Sequence, residues 1–161
     1  MVYALLKALH VLAVVLWVGG MAFAHFFLRP ALATLEPPQR LRLMHAVLGR
    51  FFAAVLWAVG LLLASGLWMI GRVARQVVQG GGSFAWPPDW VLMTALGLLM
   101  MAIFGHIRFV LYKRFSAAVN GQDWPAGAAA LAQIRRWVGV NLALGDQAVA
   151  FLAAQRVGDF G

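Results

Sequence analysis

Cysteine is absent from this chain of 161 residues. That excludes disulfides, iron–sulfur clusters and thiolate zinc sites. Charge is nearly as scarce: 11% of residues are charged, against about a quarter in ordinary soluble domains. Nucleotide-binding glycine patterns are missing too, since Gly80 to Gly82 precede no phosphate-binding helix and Gly19-Gly20 lies inside an apolar run. No serine–histidine–acid set can be placed. What remains is 63% hydrophobic, more apolar side chain than one small soluble core can bury. A bilayer can bury it.

Four segments read as spans, given that a membrane core needs about 20 apolar residues in a helix. They are residues 2–28, 51–70, 90–112 and 137–154, forming one membrane domain, 1–161. A signal peptide cleaved near Ala22-Phe23-Ala24 competes for the first. That run, however, is much longer than the usual apolar region of about 7–15 residues. The fourth carries Asn141, Asp146 and Gln147, which lower its insertion energy, yet Arg135, Arg136 and Arg156 flank it. The fold class expected is an all-α integral membrane four-helix bundle.

Basic residues set the orientation. Arg29, Arg40, Arg42, Arg50, Arg108, Lys113, Arg114, Arg135 and Arg136 fall at loops 1–2 and 3–4, against Lys7, Arg72, Arg75 and Arg156 opposite. Nine against four puts those loops in the cytoplasm and both termini outside, in a bacterial-type inner membrane. The net charge of +8 thus serves anionic lipid headgroups, and nucleic acid is not an expected partner. Pro37-Pro38 starts a basic helix running into span two. Asp123, as N-cap before Pro125, starts another into span four. Helices two and four should therefore extend into the cytoplasm. The outer loop Gln79 to Ser83 is flexible by composition, and Trp86 and Trp90 suit an interfacial belt.

Four histidines carry what chemistry there is, because ionisable side chains in a bilayer are costly and usually functional. At 1.5 Å rise per residue, His10 lies roughly 9 Å below the outer surface, His106 roughly 24 Å, His25 roughly 31 Å and His45 roughly 39 Å. His25 and His106 could share one centre. A loose repeat, His25 to Arg29 and His106 to Arg108, each followed by a proline and a basic helix, would set them across the bundle. Two such hairpins also make a homodimer conceivable. A b-type haem would take these histidines axially, with Met21 as an alternative ligand and Arg29, Arg50 and Arg108 on its propionates. That reading implies electron transfer, with a small oxidoreductase acting on a quinone or similar membrane partner. Copper is the alternative: Met21 and His25 share a helix face, Met44 adjoins His45, and thioether with imidazole suits its lower oxidation state. A metal-free structural subunit, with its histidines and arginines meeting headgroups, is the bland reading.

A second group lies in the outer half. Lys7, His10, Val14 and Trp17 share a face of span one, and Asp146 comes at a similar depth, roughly 13 Å. A buried carboxylate needs a partner, so Asp146 is expected to pair with His10 or Lys7 for proton transfer or a polar substrate.

Lys7-Ala8-Leu9-His10 followed by Trp17-Val18-Gly19-Gly20 resembles the first helix of copper-resistance D (CopD) proteins. It is similar also to HemJ-type membrane oxidases of protoporphyrinogen, a likeness extended by Gly105-His106-Ile107-Arg108 before Lys113-Arg114. The CopD resemblance is closer along the whole length, including Arg40 to Arg50. It implies a small helical inner-membrane protein with a copper-linked role, and the HemJ one a haem b redox role. Lys7, His10 and His106 are the positions that carry over. His25, His45 and Gly145-Asp146-Gln147 depart from the HemJ pattern or from both.

Overall fold

The computed structural model describes residues 1–158, with the side chains of Val149 and of residues 151–158 left aside. The described residues form four helical rods: α1 (Val2–Thr34), α2 (Pro37–Gln79), α3 (Pro88–Asn120) and α4 (Trp124–Gly158). Among the described residues there is no strand. The first three rods are long and apolar enough to cross a membrane. The fourth is helical throughout the expected span 137–154.

α2 organises the bundle. Its buried residues, Leu41, Met44, Leu48, Phe52, Val55, Ala58, Leu62 and Ser65, recur every three or four positions and so make one stripe along the rod. Residues off that stripe, such as Trp57, face outward, where lipid replaces water as the favourable surrounding. α1 packs against α2 and α3 against α4, giving two hairpins. The core between them is filled by aromatic rings. Phe104 meets Trp17 edge-on at 5.8 Å and Phe52 at 5.9 Å, and Phe52 meets Tyr112 at 5.4 Å.

The helix starts are those the sequence expects. α2 opens on Pro37-Pro38, and the amide of Ala126 donates to Asp123 Oδ1 at 3.0 Å, an N-cap for α4. The lengths differ. α2 does not stop near Gly71 but runs 43 residues to Gln79, roughly 64 Å against a hydrocarbon layer of about 30 Å. α3 also continues past Tyr112 to Asn120, so extension beyond the bilayer is not confined to helices two and four. Polar residues such as Arg72, Arg75, Lys113 and Arg114 are good helix formers, and hydropathy alone marks only where they leave the lipid.

α1 passes through Pro30 instead of ending at Leu28. A proline inside a helix clashes with the carbonyl four residues back. Here a wide π turn, Ala24–Leu28, immediately precedes it and opens the backbone. Two further π turns occur, at Val15–Gly19 and Ile107–Leu111. Such turns are uncommon and tend to mark functional stretches. One holds His25 and another directly follows His106.

Candidate functional site

The four histidines go to four different places. His10 is half-buried on α1, with Nδ1 2.8 Å from Ser65 Oγ on α2. Ser65 has one hydroxyl proton and gives it to the Leu61 carbonyl at 2.6 Å. The serine oxygen therefore accepts from His10 Nδ1–H, which leaves His10 Nε2 with a free lone pair when the ring is neutral. His45 is held as firmly. Its Nε2 lies 2.9 Å from Ser116 Oγ, and its ring stacks on Tyr112 at 5.5 Å and 9°. Tyr112 also donates to the His45 carbonyl at 3.1 Å. His45 thus ties α2 to α3. His106 is exposed on α3, with its ring edge-on to Trp137 at 5.5 Å.

His25 opens onto a groove. Its walls come from α1 (Ala24, His25, Arg29), α2 (Met44, Leu48) and α4 (Leu131, Ile134, Arg135, Val138). Met21, one turn earlier on α1, is 2% exposed and belongs to the core. The soft donors of the copper alternative are thereby separated: His25 and Met44 share the groove with Met21 behind them, while His45 points to α3.

The haem arrangement is not assembled. α4 meets His25 through the groove that Ile134 and Val138 line, and meets His106 through Trp137. Position 137 points roughly 100° away from 138 and roughly 60° from 134 on a helix, so the two imidazoles meet adjoining parts of the α4 surface and not one shared point. Between the hairpins the rings of Trp17, Phe104, Phe52 and Tyr112 are in contact with one another. The expected propionate clamp is dispersed too. Arg50 is exposed, and Arg108 lies over the Tyr112 ring at 5.3 Å with its buried Nε unpartnered. Only Arg29 reaches the His25 groove.

The expected pairing of Asp146 is corrected as well. Asp146 is on the exposed side of α4 and Lys7 is exposed on α1, while His10 has taken Ser65. The residue that α4 does bury is Asn141, completely, with neither amide atom hydrogen-bonded. Gly145, one turn on, lies against Val18 and the Met100 methyl. Helical spacing puts Asn141 and Gly145 on the packed face, and Asp146 is rotated off it by roughly 100°.

Several site residues carried no signal of their own in the sequence. Ser65 could have been found as the polar continuation of the α2 stripe. Ser116 and Tyr112 could not, because α3 was expected to end where they begin to matter. Arg40 and Arg135 were visible only as topology signals, yet they line the groove next to His25.

The comparisons fit this architecture. The profile of the family Copper resistance protein D, CopD, matches residues 45–155. The match takes in α3 and most of α2 and α4, and it does not extend the likeness to HemJ-type oxidases. No curated protein matches, and no solved structure does. With well over half of its length matched, the chain belongs to the copper resistance protein D family.

Proposed function

We propose that this multi-pass membrane protein binds copper in its lower oxidation state and serves copper handling at a bacterial-type inner membrane. The observation that carries the reading is the convergence of His25 and Met44, from two different helices, on one groove. Imidazole with thioether suits the soft monovalent ion, and Met21 stands one turn behind as a further thioether. The family's name, which speaks of copper resistance, points the same way. On this reading α4 is the fourth crossing, and the basic loops 1–2 and 3–4 face the cytoplasm, with both termini outside.

The donors fit the ion chemically, and their positions explain the choice. His25 sits in a π turn, where the backbone departs from the regular helix, and it lines the groove shared with α2 and α4. Met44 is fixed by the buried stripe. His25 supplies the directional ligand, and the flexible thioether of Met44 adapts to it.

The test is an anaerobic titration of detergent-purified protein with copper(I) in competition with a chromogenic chelator. About one equivalent should bind. His25→Ala with Met44→Leu should lower affinity by at least about tenfold, the effect of about 1.4 kcal/mol. His45→Ala should leave it within about threefold. Protein that takes up no copper, or whose affinity ignores His25 and Met44, would overturn the reading.

A further inference from the structure

The cytoplasm-proximal end of the His25 groove holds a second feature, which copper does not explain. Arg29 from α1, Arg40 from α2 and Arg135 from α4 line one open hollow. Its floor is apolar: Leu32, Leu41, Met44 and Leu131. Three guanidiniums from three separate helices have been brought together where mutual repulsion opposes their meeting. Burial, then the charges of Arg29 and Arg40, hold Arg135 below the usual guanidinium value. The nearest acidic residue in sequence, Glu36, is exposed at the start of α2, one turn before Arg40, and does not line the hollow. Among the described residues no carboxylate lines the hollow.

A cationic rim over an apolar floor matches a ligand with an anionic head and a hydrocarbon tail. The hollow shares Arg29, Met44, Leu131 and Arg135 with the groove that continues past Ala24, Leu48, Ile134 and Val138. The charged end therefore opens into an apolar seam between α1, α2 and α4. Arg29 and Arg135 flank the apolar segments 2–28 and 137–154, at headgroup level, and Arg40 joins them from the basic stretch that precedes segment 51–70. Guanidiniums bind phosphate oxygens through paired N–H donors, and such charge-assisted bonds are the strong ones.

From this geometry we infer that Arg29, Arg40 and Arg135 form a binding site for the phosphate of an anionic phospholipid, whose chain lies along the seam. The lipid would bind without copper, although the hollow shares Met44 with the proposed copper donors. The site would nevertheless matter to a cation nearby, since an occupied site cancels positive charge next to His25, whereas an empty one repels it.

Native mass spectrometry of the purified copper-free protein tests this with phosphatidic acid and with phosphatidylcholine of the same chains. Wild type should retain phosphatidic acid at least about tenfold better than phosphatidylcholine. Arg40→Gln with Arg135→Gln should remove that preference, while Arg50→Gln with Arg114→Gln, exposed elsewhere, should keep it. Arg135→Lys should retain part, because the charge survives and the paired donors do not. Thermal unfolding with inorganic phosphate provides the other arm. A shift from millimolar phosphate equal to that from phosphatidic acid would make the free anion the ligand and overturn the lipid assignment. Equal retention of both lipids by wild type would overturn the site, as would unchanged preference in the Arg40→Gln, Arg135→Gln protein. Copper binding is not read in any arm, so failure here and failure of the copper reading are distinguishable.

Discussion

Small side chains and single hydroxyls decide how close the rods come. Gly49 on α2 faces the Tyr112 hydroxyl, and a methyl added there would meet that oxygen at 2.5 Å. Tyr112 cannot easily give way, because it is stacked on His45 and bonded to the His45 carbonyl. Gly49→Ala should therefore cost about 1–3 kcal/mol, as overpacking does, and Gly19→Ala, with open space around it, should cost little. Thermal unfolding in detergent compares the two directly, and equal midpoints would contradict the packing described. Ser65 makes a parallel case. Its replacement by alanine leaves His10 Nδ1–H half-buried without its acceptor, a loss of about 1–3 kcal/mol. In nitrogen-edited spectra the His10 tautomer should shift from Nδ1–H toward a mixture. An unchanged tautomer would show that Ser65 does not set it.

At the scale of the helix, α2 was the most legible element and α1 the least. The stripe from Leu41 to Leu62 follows the 3.6-residue period through both lipid and headgroup zones, so the buried face could be read even where hydropathy falls. Depth from one helical end could not give azimuth, and that is why His25 and His106, near each other in depth, were joined and are not. One residue of rotation separates the faces that Trp137 and Val138 present, and π turns shift the register of α1 and α3 just where the histidines lie. Asp146 failed for the same reason, one position away from the buried face of Gly145. The stripe yields its own test. Phe52, 1% exposed, should cost about 3–5 kcal/mol when cut to alanine. Trp57, 82% exposed on the same rod, should cost much less despite its larger side chain. Comparable losses at the two positions would mean that Trp57 is covered in the membrane by something other than lipid.

For the whole molecule the question is how four rods sit across a bilayer, and the missing cysteine makes it answerable, because any introduced thiol is unique. The turn after α2 contains Gly81 at φ 80°, and the turn before α4 contains Gln122 at φ 57°. Both project from helix ends, on opposite ends of α3. The positive-inside asymmetry puts the first outside and the second in the cytoplasm. Ser83→Cys should then react with a membrane-impermeant maleimide on intact cells, and Gln122→Cys only after permeabilisation. A cysteine appended after Gly161 separates three crossings from four. It should label like Ser83→Cys when α4 spans, and like Gln122→Cys when α4 lies along the cytoplasmic surface. The first pattern is expected, because α4 packs along α3 through the apolar part of that rod, down to Gly145 against Met100. A helix resting on the surface could not reach Met100, which lies within the third apolar segment. Labelling of Gln122→Cys on intact cells would invert the orientation and put the three arginines on the outer face, where the anionic-lipid site would face a different leaflet.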